Sequence, residues 1–343
     1  MTVGPLDVTV IVVGFNDRDS LPGCVDALTA DPAAARIVVV DNASTDGTAE
    51  ILGDLTVDPR VETIRNRENL GYAGAVSAVL PSVTSTYVAV LNADTIPPNG
   101  WLTPQLAHLD AHPEVAATSP TVTLMGSGRL NAAGLDVHVT GLAFNRLLHG
   151  TVAEAGTTPI EVPGLQGTAF VVRRELLEAG GGWYSQGFLY HEDAELSWTL
   201  RLMGYRIAFV PTPPVEHRYA LTMSPEKLFL LERNRWEMLL ANTGLGTRLR
   251  VGPLLLWTEL MMWGYCLTRG GSMLGAKWRS YRSVGQRRQI IAERRAVIAG
   301  LRRVDDREIL RALRWNYTWD QLLSVGRRPP TQGRRGNRDL PVR

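Results

Sequence analysis

VTVIVVGFN, residues Val8–Asn16, decides the fold of this chain. Six consecutive β-branched residues run into Gly14-Phe15-Asn16 with no polar alternation. A strand buried on both faces of a parallel sheet reads this way, with small or polar residues where chemistry gathers at its carboxyl end. The pattern returns at Ile37–Thr48 (IVVVDNASTDGT) and at Val88–Asp94 (VAVLNAD). Helix signals lie between these runs, over Ser20–Thr29, from Asp46 to about Leu55, and over about Ala73–Val79, with a short strand at Val61–Ile64. Such alternation with short connections predicts an α/β fold with a doubly wound parallel sheet, whose ligands bind along the carboxyl edge of the strands. No G-x-G-x-x-G follows the first strand, which argues against a dinucleotide fold.

Further along, Trp101–His112 reads as a helix and Val115–Val122 as a strand. Residues 126–160 are glycine-rich and irregular. Thr168–Val172 is a strand, and Arg174–Ala179 a short helix before three glycines. A helix begins near Glu192 and stops at Gly204, where glycine accepts the left-handed exit, and the strand Tyr205–Val210 follows.

The 343 residues suit one large domain with an extension, or two domains. Cys24 and Cys266 match no metal or disulfide spacing, so a reducing compartment is the default. No N-terminal basic segment resembles a signal peptide. The net charge of +2 is unevenly spread: residues 269–343 carry nineteen Lys+Arg against six Asp+Glu, and the rest of the chain is acidic. That asymmetry points the C-terminal part at an anionic surface. No nucleic-acid motif accompanies it, so nucleic acid is not expected as the partner.

Three clusters carry candidate chemistry, each with a plain structural counterpart. Asp41, before Asn42-Ala43-Ser44-Thr45-Asp46, either accepts hydrogen bonds from a nucleobase or ribose or braces a turn, and Asp46 either serves a ligand or caps the next helix. Asp94, after Asn92-Ala93, either holds a divalent cation against two phosphates or starts the turn before Pro97-Pro98. His191-Glu192-Asp193-Ala194-Glu195 either enriches a first helical turn with favourable negative charge or supplies a general base. It is not H-E-x-x-H, so a zinc protease is excluded. The neighbours Trp183, Tyr184, Phe188, Leu189 and Tyr190, a largely aromatic loop, favour a sugar-stacking pocket. His217 in Val215-Glu216-His217 is structural or a ligand.

Taken in order, VIVVGFN, VVVDNASTDGT, ENLGYAGAV, LNAD, PGLQGTAFVVRRE, YHEDAELSWTLRLMGY and VEHR resemble the inverting family 2 glycosyltransferases of GT-A fold, over about residues 8–220. The resemblance is strongest to bacterial rhamnosyltransferases and galactofuranosyltransferases. It implies a doubly wound, Rossmann-like mixed sheet, with Val13, Gly14 and Phe15 lining the nucleotide and Asp41 on its base. Asn69 and Gly71 would lie beside the donor sugar and diphosphate, next to Asn92. Asp94 would bind Mn²⁺ or Mg²⁺, with His217 as second ligand. Gln166, Gly167, Tyr190 and His191 would border the acceptor, with Asp193 as general base supported by Glu192. The family's two-carboxylate metal motif stands here with one acid.

The resemblance also implies a nucleotide-sugar donor, dTDP-rhamnose first and a UDP-sugar next, and a lipid-linked cell-envelope glycan as acceptor. The alternatives are a soluble small-molecule acceptor or a non-catalytic nucleotide-sugar-binding protein. Residues 1–245 form the expected catalytic domain, 246–328 a basic helical extension and 329–343 a disordered tail. Val251–Leu267 is too short and too acidic, at Glu259, to span a bilayer that takes about 20 residues. It either packs on the catalytic domain or lies in the membrane interface. Ile290, Val297, Leu301 and Val304 suggest a helical stripe interrupted by Arg294. The expected location is cytoplasmic, peripheral on the inner face of the cell membrane, with a homo-oligomer as an open option.

Overall fold

A computed structural model describes residues 7–219 and 222–324. The chain opens with β1 (Val8–Gly14), α1 (Leu21–Ala30), β2 (Arg36–Asp41), α2 (Thr48–Leu55), β3 (Val61–Arg65), α3 (Gly71–Val79) and β4 (Tyr87–Asn92). These four strands are parallel in the order β3-β2-β1-β4. The order reverses beside β1, so the crevice beyond its carboxyl end is the switch point where such sheets take ligands. Alternate residues of one strand enter different cores. Val8, Val10 and Val12 pack with α1, while Ile11 and Val13 pack with α3. That division is why the strand shows no polar alternation.

The chain continues through β5 (Thr95–Ile96), α4 (Thr103–Ala111), β6 (Val115–Ser119), β7 (Val122–Leu124), β8 (Leu130–Ala132), β9 (Leu135–Val137), β10 (Ala143–Asn145), α5 (Val152–Ala155), β11 (Ile160–Glu161) and β12 (Ala169–Arg173). It then forms α6 (Arg174–Ala179), α7 (Glu192–Leu202), β13 (Arg206–Phe209) and β14 (Val215–His217). The main sheet has eight strands and is mixed rather than parallel: β12 lies antiparallel between β4 and β6. The expected strand Val115–Val122 breaks after Ser119 at Pro120, which has no amide proton to donate, and β7 joins a second sheet with β5, β8 and β14. Helix α2 begins at Thr48, two residues later than read, because the Asp46 carboxylate takes the Thr48 amide at 3.0 Å as a turn brace.

Seven helices complete the described chain: α8 (Pro225–Asn242), α9 (Leu245–Arg250), α10 (Gly252–Arg269), α11 (Gly271–Gln286), α12 (Arg288–Leu301), α13 (Asp306–Ala312) and α14 (Trp319–Ser324). No helix of the described residues is long and apolar enough to cross a membrane. The extension is packed onto the rest of the chain. Leu196 and Leu200 of α7 face the sheet, while Ala194, Trp198 and Leu202 enter a separate core with Met238, Leu255, Ile298 and Ile309. Helix α7 is therefore covered on both sides.

The stripe read on α12 is corrected by this packing. Its buried face is Ile291, Arg294 and Ile298, whereas Val297 is exposed. Arg294 lies in the middle of the inward face because Nη2 donates to the buried Glu195 carboxylate of α7 at 2.6 Å. Charge hidden at a core position made the apolar periodicity misleading. A second buried network joins α8, α10 and α11: Arg235 pairs with Glu232 at 2.8 Å and with Glu259, and Lys277 pairs with Glu232 and, at 2.8 Å, with Glu259. Glu259, which interrupts the apolar run, thus turns inward to two cations. The tail at 329–343 lies outside the described residues.

Candidate active site

Strand register assembles the first wall. Gly14 stands opposite Asp41, Val13 opposite Asn92, and Asp41 opposite Arg65. The Asp41 carboxylate is fully buried. Oδ1 accepts the Ser44 amide at 2.9 Å, while Oδ2 lies 3.3 Å from Arg65 Nε and makes no hydrogen bond. The loops after β1 and β2 are tied together, since Asn16 N donates to Ser44 Oγ at 2.8 Å and Thr45 N to Asn16 Oδ1 at 2.8 Å. Phe15 sits in this linked turn, its amide donating to Asp17 at 3.0 Å.

Asn69 and Gly71 have identifiable local duties. Asn69 Oδ1 accepts from Asn42 Nδ2 at 2.8 Å and from the Gly71 amide at 2.9 Å, and Asn42 Oδ1 takes Leu70 N at 3.1 Å. Asn42 is the hub of that loop, and sequence reasoning passed over it. Gly71 has φ of +72°, and a Cβ there would lie 1.8 Å from the Phe188 carbonyl oxygen. Only glycine permits both the left-handed backbone and that approach. The loop is thereby clamped to the aromatic segment before α7.

The second wall is acidic. Strand β14 pairs antiparallel with β5 and sets His217 beside Asp94, with Nε2 3.3 Å from Oδ1. The other ring nitrogen, Nδ1, faces Asn131 Oδ1 at 2.9 Å. With its proton on Nδ1, the ring would turn the Nε2 lone pair toward the carboxylate, and the two acceptors would then fit a divalent cation between them. Among the described residues no third carboxylate, His or Cys completes a metal cage. A cation here would complete its shell with donor phosphates and water, as Mg²⁺ commonly does.

Helix α7 presents Glu192 and Asp193 in its first turn. Asp193 Oδ2 accepts the Gly167 amide at 3.2 Å, and Oδ1 its neighbour Ala194 N at 2.8 Å. Gln166 stands next to Gly167, its Nε2 donating to Thr168 Oγ1 at 2.6 Å and its Oε1 buried without a hydrogen-bond partner. Tyr72, quoted in the motif but given no role, joins the two walls. Its hydroxyl donates to Gly167 O at 3.1 Å. Burial pushes its phenol well above the usual value, reinforced by the charges of Glu192, Asp94 and Asp193. Three carboxylates therefore converge on one ring.

The two acids of α7 meet different surroundings. Burial, with Asp193 beside it, pushes Glu192 up to about 8, and its Oε2 has no hydrogen-bond partner. Burial raises Asp193 too, but backbone amides favour its charged form. Glu192 therefore holds its proton at neutral pH, and Asp193 is the acid whose surroundings oppose the shift. Differing environments of this kind are how a site assigns base and proton holder.

A stability test follows, with the sign fixed by linkage. The folded form keeps the Glu192 proton up to about 8, whereas an unfolded glutamate releases it near 4.5. Stability from this proton is complete below pH 4.5 and is lost as pH rises through 8. Glu192→Gln removes the loss, so it should exceed wild type at pH 8 by on the order of 4 kcal/mol, with no gain at pH 4.5. Denaturant melts at the two pH values check this. A gain independent of pH would contradict it.

The entry to α7 is a strained loop. Phe188, Tyr190 and His191 have φ of +64°, +68° and +71°. Such backbone persists only when surrounding contacts over-determine it. Asn234 of α8 supplies them, its Nδ2 donating to the carbonyls of Gly187, Leu189 and Tyr190 at 2.8–3.0 Å. This anchoring residue was not visible in the sequence pattern. His191 is buried and held neutral, its ring pushed down to about 4 chiefly by burial, with Nε2 unpartnered.

The family model described as "Glycosyl transferase family 2" matches residues 9–181. Among curated proteins, the chain is 26% identical over 213 residues to the "Pre-mycofactocin glycosyltransferase" of Mycobacterium tuberculosis (strain CDC 1551 / Oshkosh), covering 62% of this chain and 42% of that one. The chain spans about half the length of the curated relatives it matches. Among solved structures, it is similar to GalNAc-T7 with UDP, GalNAc and Mn²⁺, with a TM-score of 0.57, 18% identity, and coverage of 69% of this chain and 48% of that one. It is also similar to the mannosyltransferase PcManGT from Pyrobaculum calidifontis in complex with GDP-Man and Mn²⁺, with a TM-score of 0.51, 19% identity, and coverage of 87% and 88%. At these identities the likeness shows the fold, a GT-A arrangement with a helical C-terminal region.

Proposed function

The chain belongs to glycosyl transferase family 2, and from that premise we propose that it moves a sugar, with inversion, from a nucleotide-sugar donor to an acceptor hydroxyl. The observation that carries the reading is the convergence of Asp94–His217 and Asp193–Gly167 on Tyr72 at the carboxyl edge of the sheet. Val13, Gly14, Phe15 and Asp41 border the nucleotide. Asp94 and His217 would hold Mn²⁺ or Mg²⁺, which would supply a Lewis acid to neutralise charge on the departing diphosphate. Asp193 takes the proton of the attacking hydroxyl on the opposite face of the sugar, while Gly167 N fixes the carboxylate. Glu192, protonated, keeps a second negative charge away from the base. Tyr190, His191 and Gln166 border the acceptor.

The finer reading is rhamnose from a dTDP donor, with UDP-sugars next, added to a lipid-linked envelope glycan at the inner membrane face. Motif resemblance supports the sugar. An exposed apolar face supports the membrane: Leu256, Trp257, Leu260 and Leu267 of α10 and Trp278 of α11 are each at least half exposed, between Arg250 and Arg269 at the two ends of α10. A soluble small-molecule acceptor is the second reading, favoured by the relative named for pre-mycofactocin. Flotation with phosphatidylglycerol vesicles separates the two. Leu260→Glu with Trp257→Glu should release the protein at least tenfold. Equal flotation would remove the membrane from the reading. Truncation near residue 245 is unsuitable, because it strips Arg294 from buried Glu195 and Lys277 from buried Glu232.

The transferase reading is tested by thermal shift with a panel of nucleotide sugars and Mn²⁺. The true donor at 100 times its Kd stabilises by about 2.7 kcal/mol. Chelation should remove most of that shift, and the same donor should be slowly hydrolysed. No response to any nucleotide sugar would overturn the proposal. A shift without turnover on any acceptor or water would favour the non-catalytic binding protein.

A further inference from the structure

A cleft of about 870 Å³ lies where the end of α8 meets α9, α12 and α13. A volume of this size takes a small molecule. No residue of the candidate active site lines it. Five arginines do: Arg250 of α9, Arg295 of α12, Arg302 and Arg303 in the turn that follows, and Arg307 of α13. Two of them are set in place by carbonyls at the end of α8. Arg295 Nε donates to Leu240 O at 3.1 Å, and Arg302 Nη2 to Asn242 O at 2.6 Å.

The opposing charge in the cleft is smaller and already engaged. Asp305 caps α13, accepting the amides of Arg307 at 2.9 Å and Glu308 at 3.0 Å. Asp306 takes the Gly244 amide at 3.0 Å, the Thr247 hydroxyl and Arg302. Of the five arginines, Arg302 alone pairs with a carboxylate among the described residues. Arg250, Arg295, Arg303 and Arg307 are exposed. Like charge is crowded at this place: burial, and then the charge of Arg295, lowers the neighbouring Arg248 guanidinium.

Five arginines against two aspartates leave a surplus of three positive charges. One phosphoryl group brings about −1.5 to −2 at neutral pH, so two adjoining groups are needed to balance it. Guanidinium forks match phosphoryl oxygens two at a time. A bilayer presents its headgroups in a plane, whereas these arginines surround a hollow, which suits a soluble molecule.

We propose that this cleft is a second ligand site, for a soluble molecule bearing a diphosphate group, and that its occupant braces α12 against α7. Arg294, which holds Glu195 of α7, directly precedes Arg295. A ligand that bridges Arg295 to Arg250 and Arg307 ties α12 to α9 and α13 and keeps the Arg294–Glu195 pair closed. Nothing in this site depends on the transferase reading.

The experiment is calorimetric titration of the full chain with inorganic pyrophosphate in EDTA, beside inorganic phosphate and sulfate at equal ionic strength. Chelation leaves the Asp94 wall without the cation that a diphosphate needs there, so the heat belongs to the cleft. Pyrophosphate should bind at one site, at least tenfold more tightly than either comparator. Arg250→Gln with Arg307→Gln should weaken it at least tenfold, and both side chains are exposed, so the fold is kept. Arg282→Gln with Arg288→Gln, exposed and outside the cleft, removes the same charge and should leave binding unchanged. Pyrophosphate should also slow amide hydrogen exchange across α12 and α7 of the wild type. No saturable binding, an equal loss in the second pair, or protection confined to α9 and α13 would each overturn the proposal. Capture by phosphatidic acid vesicles that needs Arg250 and Arg307, without pyrophosphate binding, would overturn it in favour of a membrane headgroup.

Discussion

Asp193→Asn should retain donor binding and lose roughly 10²–10⁴-fold in turnover, the range that a positioned general base contributes. That corresponds to about 3–5 kcal/mol of barrier. The amide keeps the size of the carboxylate, and its oxygen still accepts from Gly167 N, now 3.2 Å from Oδ2. What disappears is the capacity to take a proton. The proposed nucleotide wall lies on β1 and β2, at Gly14 and Asp41, and the Asp94–His217 pair on the turn before β5 and on β14, so the donor's Mn²⁺-dependent thermal shift should be unchanged. Steady-state rates beside that shift check the prediction. Near wild-type turnover would remove Asp193 from the role.

Arg294→Met should have the largest effect on stability, about 3–5 kcal/mol, because it strands a buried carboxylate. Arg294 and Glu195 are both more than nine-tenths buried, and Glu195 Oε1 accepts from Arg294 Nε at 2.9 Å and Nη2 at 2.6 Å. Arg294 Nη1 also reaches Gly180 O at 3.3 Å and Nη2 Thr199 Oγ1 at 3.1 Å. Adding Glu195→Gln should recover much of the loss, since the isolated charge is then gone. Denaturant melts of the two single variants and the double variant give the coupling. Additive losses would show that Arg294 acts through packing alone. Asp193 stands two residues before Glu195, so the single variant should also lose activity at temperatures where it remains folded.

These two residues mark what was legible in the sequence and what was not. The parallel strands could be read because burial on both faces leaves an unbroken apolar run, as in Val8–Val13. The acids at strand ends were legible for the same reason: polarity there interrupts the run abruptly. The antiparallel β12 was not, because strand direction leaves no mark on the composition of Ala169–Arg173. Asn42 and Asn234 escaped because each works by branching hydrogen bonds to a distant loop, which has no periodicity. Tyr72 escaped because a phenol at the start of an apolar helix reads as core. Arg294 was taken for an interruption, since apolar spacing cannot reveal a charge whose partner lies 99 positions earlier.

The covering of α7 on both sides bears on how the protein comes into being. A nascent chain that has reached only residue 245 already holds the proposed catalytic acids but lacks Lys277 and Arg294. Its helix α7 then has no cation for Glu195 and only part of its outer apolar cover, that from β9 and α8. The reaction centre is therefore completed only late in synthesis, when α12 emerges and docks. Fragments released before that point should be open, protease-sensitive and inert, and a ribosome stalled near residue 245 would display no functioning enzyme.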